Sequence, residues 1–250
     1  MAKASGLDQK LYVHGYDLSG DVGSITNVEG SFGEFDTTDI TQAAHSRILG
    51  LASGSLEFMS YFDDAAGKAH AVLSALPTTD VVLTWALGTA VGDRCMSLQA
   101  KYVSAYGINR SADASLDVTT RAEGSAGAPL EDGIMLTAAD DTFASASSAT
   151  GLDQTAQTTR GAVGYCQALS LGSGAPTILI EDSADSTNGV DGTWATLMTL
   201  NTATLPGASR VEATGTVDRW VRVTTTGTFT DYVVVVSLRR GLEFDIEDLS

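Results

Sequence analysis

Carboxylates stand in adjacent pairs at Asp63/Asp64 and Asp140/Asp141, and bunch again in EDSADSTNGVDG, residues 181–192. Paired acids are what general acid/base catalysis or a hard-cation site would need. Adjacent residues of a strand point to opposite faces, however, so neither pair converges on one substrate by spacing alone. Asp63 or Asp64, ahead of Ala65, is accounted for as a helix cap. The 181–192 segment lacks the spaced D-x-[DN]-x-[DN]-G pattern and terminal Glu of a calcium loop. Its Asn188-Gly189 and Asp191-Gly192 steps are hairpin-turn chemistry, so a turn-rich hairpin is the favoured reading. A hydrolase built on Asp63, Asp140 or Asp182 would require convergence in space that one sequence does not display.

The remaining reactive types carry less. His14, His45 and His70 have no H-E-x-x-H spacing and no cysteine partner, which leaves a zinc site without support. Gly50 and Gly54, in GLASG, open no phosphate loop, and no G-x-S-x-G elbow accompanies the serines. Cys95 and Cys166 lie far apart in apolar-leaning strand patterns and read as buried free thiols. No catalytic residue, metal ligand or cofactor is expected, and the chain is read as a non-enzyme.

The composition favours strands joined by turns. The 250 residues are 43% hydrophobic, enough for a core, and combine 26 glycines with many Thr, Ser, Ala and Val. The net charge of −17 is spread over both halves and disfavours binding to a nucleic-acid backbone. MAKASGLDQK lacks the apolar core of a secretory signal. VVLTWALGTAV and YVVVVSL fall well short of the ~20 residues of a membrane span, so no membrane contact is expected.

KLYVHGYDLSG and VGSITNVEG read as short strands, and Ser31 to Gly54 as a long polar excursion. GSLEFMSYFD then alternates cleanly, AAGKAHAVLSALP reads as the one helix, and VVLTWALG, DRCMSLQAKYVSAYGIN and SADASLDVTTRAEG read as three more strands. Residues 1–124 form one domain on this reading and 125–159 a linker with one short strand, GIMLTA. Residues 160–250 form a second domain of six strands, a C-terminal β-sandwich. The fold class is therefore mainly β, a β-sandwich or barrel with one flanking α-helix plus a second β-sandwich.

ITQAAHSRILGLASGSLEFMSYFDDAAG resembles the central signature of siphophage tail tube (major tail) proteins, through Thr41, Arg47, Gly50-Leu51, Gly54, Leu56 to Phe58, and Phe62-Asp63. The resemblance covers about residues 8–124. It implies a tail-tube-like subunit that closes into hexameric rings stacked as a tube in the virion tail, made in the host cytoplasm. Double-stranded DNA would pass through the lumen without specific binding, and tape-measure and tail-terminator or tail-tip proteins would be partners. It further implies that the loop with Asp39, Thr41, Arg47, Leu49, Gly50, Leu51 and Gly54 reaches a neighbouring subunit and is ordered by it. Extra sandwich domains project from the tube in that family, and Asp182, Asp185, Asp191 and Trp194 are the candidates for an external ligand surface. The alternative is a capsid or tail decoration protein, or a carbohydrate-binding surface protein.

Overall fold

The computed structural model describes residues 7–75, 80–110, 115–125, 128–200 and 204–241. The first half contains β1 (Lys10–Val13), β2 (Tyr16–Asp17), β3 (Val22–Asp36), β4 (Arg47–Tyr61), α1 (Ala69–Ala75), β5 (Val81–Ala86), β6 (Arg94–Arg110) and β7 (Leu116–Gly124). Short strands follow: β8 (Glu131–Met135), β9 (Asp141–Phe143), β10 (Ser147–Ser148) and β11 (Leu152–Asp153). The rest comprises β12 (Ala162–Ser170), β13 (Ser173–Gly174), β14 (Thr177–Ser183), β15 (Ala195–Leu200), β16 (Gly207–Ala213), β17 (Trp220–Thr226), β18 (Phe229–Thr230) and β19 (Tyr232–Arg240). The protein is mainly β, as expected, with one short helix among the described residues. That helix is too short to cross a membrane.

One open twelve-stranded sheet runs in the order β16-β12-β19-β8-β6-β5-β1-β2, with β7, β4 and β3 added in turn beyond β6 and β9 beside β19. β6 makes this possible. Its first residues pair with β5 on one edge and β8 on the other, and its later ones with β7. Between them the β6–β7 register shifts at 102–107, the kind of irregularity that bends a strand from one layer into another. A second sheet, β10-β17-β14-β15 with β11, covers β12 and β19.

Two main cores result. Leu11, Leu18, Leu56, Phe58, Leu83 and Val118, with Val72 and Leu73 of α1, fill the first; Cys166, Ile178, Ile180, Leu200, Val223 and Val236 fill the second. Both cysteines are buried and unbridged. β12 is buried along nearly its whole length because each face meets a different half. Cys166 and Ala168 serve the second core, while Val163 and Tyr165 pack with Val82 of β5.

Three expectations are corrected. Residues 125–159 hold four short strands instead of one, and β8 hydrogen-bonds to both β6 and β19, so a single sheet crosses this segment. The helix is not capped by Asp63 or Asp64. The buried Asp21 carboxylate accepts the Ala69 N–H at 3.0 Å, whereas Asp63 closes a local turn by accepting the Ala65 N–H at 2.9 Å. Arg47 to Gly54 belongs to strand β4, so the long excursion is a β-hairpin.

Buried polar bonds join the halves. The Gln167 amide donates to the Val82 carbonyl at 3.0 Å and to Thr84 Oγ1 at 3.1 Å, and its oxygen accepts the Gly15 N–H at 2.8 Å. Gly15 has φ +83° and lies so close to β16 that a Cβ would come within 2.2 Å of the Gly207 nitrogen. Glu131, 1% exposed, accepts from Arg210 Nε at 3.1 Å and Nη2 at 3.0 Å and from the Tyr165 hydroxyl, with Arg239 at 3.7 Å. Burial pushes the Glu131 carboxyl up, and the two guanidinium groups work against that rise. Glu131→Ala should destabilise the fold by about 3–5 kcal/mol, because Arg210 is left largely buried without its fork partner. Urea unfolding of the variant checks this, and a cost below about 1 kcal/mol would mean the pair is dispensable.

Candidate functional site

The β3–β4 hairpin is the feature that its own fold does not use up. Near its root β4 pairs with β3 on one edge and β7 on the other, and Leu56 and Phe58 sink into the first core. The β4–β7 ladder ends at Ser55↔Glu123. From Gly54 outward β4 has only β3 beside it, and the pairing continues to Asp36↔Arg47. At ~3.4 Å per residue, Gly30 to Asp36 carries the arm about 20 Å beyond the body.

Gly54 fixes the root. A Cβ there would lie 2.3 Å from the Leu130 nitrogen, so the backbone of the 128–130 segment rests directly on β4. Farther out, a Gly50 Cβ would come within 2.6 Å of the Phe35 ring, so Phe35 lies across Gly50, and Phe35 is directly opposite Ile48. Arg47 Nη1 meets Glu34 Oε1 at 2.9 Å in an exposed pair of the kind worth at most ~1 kcal/mol.

The tip, residues 37–46, is closed by its own side chains. Asp39 Oδ1 accepts the Thr41 N–H at 2.8 Å and hydroxyl at 2.5 Å, and Asp36 accepts the Thr38 N–H at 2.9 Å and is 3.1 Å from the His45 ring. The Thr37 N–H donates to the Ser46 carbonyl at 2.8 Å and the Ser46 N–H to Thr38 Oγ1 at 2.9 Å. The Thr41 and Thr38 donors hold the Asp39 and Asp36 carboxyls below the usual range. Turn hydrogen bonds and the β3–β4 ladder therefore close this segment on itself, and, as expected, it takes nothing from its own cores.

Asp39 and Thr41 thus sit at the tip, Arg47, Gly50 and Leu51 along β4, and Gly54 at the root. Leu49 pairs with Glu34 through the backbone, and its side chain lies outside the described residues. The residues that sequence reading missed, Phe35, Ile40 and Ile48, are apolar, as is the expected Leu51. Ile40 is fully exposed at the tip, Leu51 is 89% exposed, and Phe35 and Ile48 are 60% and 57% exposed. The signal for an extended pair is in SFGEFD and RILGLAS, two proline-free runs carrying Phe, Ile and Leu, on either side of a turn-forming TTDITQ.

The second candidate surface is occupied by its own bonds. Asp185 Oδ1 accepts the Thr193 N–H at 2.7 Å and the Ser183 hydroxyl at 2.9 Å. Asp191 accepts the Thr187 N–H at 2.8 Å, the Thr187 hydroxyl at 2.6 Å and the Ser186 hydroxyl at 3.0 Å. The buried Asp182 accepts the Asp218 N–H at 2.9 Å, and burial pushes its pKa up. Trp194 donates its indole N–H to the Asp191 carbonyl, carries the Arg222 guanidinium 4.0 Å from its ring centroid and packs on Gly151. Arg222 therefore covers one face of the Trp194 ring. Trp220 is buried. Among the described residues no three His, Cys, Asp or Glu side chains come together as a metal site.

No protein-family model matches the chain, and no curated protein does. Among solved structures it is similar to the crystal structure of the SPP1 Dit (gp 19.1) protein, described as a paradigm of the hub adsorption apparatus in phages that infect Gram-positive bacteria. The two share 13% identity over 94% of this chain and 99% of that one, at a TM-score of 0.35, a likeness too small to bear on function.

Gly54→Ala should cost about 1–3 kcal/mol by forcing Leu130 off the root of the arm, read as a lower urea midpoint. Hydrogen bonds, the Thr187 hydroxyl first, hold Asp191 at about 2, below its ordinary 3.8. A depressed carboxyl stabilises the fold above its unfolded pKa and loses that contribution as pH falls through the folded one. The 184–194 loop should therefore loosen between about pH 4 and pH 2, seen as faster amide exchange at Thr187 and Asn188, whose N–H groups Asp191 accepts. In Asp191→Asn the loop should show no such transition from this residue.

Proposed function

We propose that this chain is a structural, self-assembling subunit of a phage tail, a tail-tube-type protein without catalytic turnover, whose β3–β4 arm engages the next copy. The observation that carries this is the arm itself. Its outer half touches none of its own cores, yet it is paired as a strand ladder out to Asp36↔Arg47 and displays Phe35, Ile40, Ile48 and Leu51 to solvent. Exposed apolar groups concentrated on a protruding element mark a contact waiting for a partner. The motif resemblance supports the same reading, since Arg47, Gly50-Leu51 and Gly54 run along β4 of this arm. On this reading six copies close a ring, rings stack into a conduit for double-stranded DNA, and tape-measure and terminator or tip proteins bound its length. The acidic charge suits such a conduit, because carboxylates facing a lumen repel phosphates.

Replacing residues 31–53 by a two-residue Asn-Gly turn removes the outer arm at the Gly30↔Gly54 pair without touching either core. In sedimentation velocity the native chain should form concentration-dependent assemblies, and the shortened chain should stay at its monomer mass with unchanged far-ultraviolet dichroism. Identical sedimentation of the two would overturn the role of the arm. With a net charge of −17, copies repel one another. Assembly should therefore strengthen between about 0.01 M and 0.15 M salt, as the screening length drops from ~30 Å to ~8 Å.

A further inference from the structure

Asn188-Gly189 is the only Asn-Gly step in the sequence, and it lies in the 184–194 loop, outside both main cores. Such a step carries its own nucleophile and electrophile. The Gly189 nitrogen can attack Cγ of the Asn188 carboxamide, because glycine puts no side chain in the way. The N–H proton goes to a base, the bond from Cγ to the carboxamide nitrogen breaks, and that nitrogen takes a proton from water and leaves as ammonia. The product is a five-membered succinimide. Water then opens the ring at either carbonyl, giving aspartate or, with the chain rerouted through Cβ and Cγ, isoaspartate. Asn188 is exposed, so its carboxamide is open to the water that both steps consume.

The nucleophile is what the fold withholds. Gly189 is buried, and its N–H donates to Ser186 Oγ at 3.0 Å. Ser186 is itself 6% exposed and donates its hydroxyl to Asp191 Oδ1 at 3.0 Å, so solvent base has no path to the Gly189 proton. Asp191 is a poor substitute, since a carboxyl held at about 2 is a weak base. The electrophile is tied as well: Asn188 Oδ1 accepts the Val190 N–H at 2.8 Å and the Asp191 N–H at 3.0 Å. We propose that Asn188-Gly189 is a modification site locked by Ser186, at which the closed loop suppresses succinimide formation and an opened loop converts and cannot close again. Reclosure fails on space. The Gly189 carbonyl accepts the Gly151 N–H at 2.7 Å, and a Cβ on Gly189 would lie 2.3 Å from the Gly151 oxygen. An isoaspartyl link lengthens the backbone by one carbon directly before this contact, so a transient opening becomes a permanent one.

The test incubates the full chain, folded and in urea, in mildly alkaline buffer and follows Asn188 by peptide mass spectrometry, with isoaspartate told from aspartate by fragmentation. The folded chain should convert at least about tenfold more slowly than the unfolded one, because reaction proceeds only through the open loop. Ser186→Ala should raise the folded rate severalfold with little change in the urea midpoint. The Gly189 amide of the native chain should resist hydrogen exchange, which reads the lock without any variant. Converted protein, separated by its added negative charge, should exchange the Gly151 amide fast. Equal conversion in the folded and unfolded chains, or an unprotected Gly189 amide, would overturn the lock. A folded rate that Ser186→Ala leaves unchanged would take the role from Ser186, and a converted chain with Gly151 still protected would refute the one-way opening.

Discussion

Glu131 is the group on which the arrangement turns. A buried carboxylate costs several kcal/mol in desolvation, and this one is tolerated because Arg210 grips it with two nitrogens while Tyr165 donates its hydroxyl. Those partners belong to β12 and β16, whereas Glu131 opens β8, which pairs with β6 of the first half. The charge network thus welds two sandwiches with separate cores into one body. The preceding residue, Leu130, lies against β4 where Gly54 has no side chain, so the interaction that joins the halves also seats the root of the arm.

A two-stranded hairpin in water is marginal, and the arm avoids that fate by degrees. Its root is three strands wide and core-packed, its shaft has the Phe35–Gly50 contact, and its tip is closed by the Asp36 and Asp39 turns. What remains unsatisfied is apolar surface, and the strongly negative charge of the chain opposes nonspecific clumping of that surface. A contact that must overcome such repulsion requires a fitted partner.

The legible parts of the sequence were those with a buried face. TILIEDS alternates buried and half-buried positions as β14, and β5, β6, β7, β12 and β19 fall where their apolar patterns predicted. In sequence the outer arm reads as a loop because both its faces meet solvent, which removes the alternation that identifies a strand. The Asp21 cap was invisible because it comes from 48 residues away, and the Glu131–Arg210 pair because 79 residues separate its members. β9, β10 and β11 are two or three residues long, too short to show a period. At the candidate site the motif located β4, but exposure of Phe35, Ile40 and Ile48 is a property of the fold and not of the sequence pattern.

Electron microscopy of the purified full-length protein at high concentration tests the central claim most directly. Hollow rings, or tubes stacked from them, with density bridging adjacent subunits at the height of the β3–β4 arm, are the expected result. Uniform single particles at every concentration, with the arm free in solvent, would contradict it.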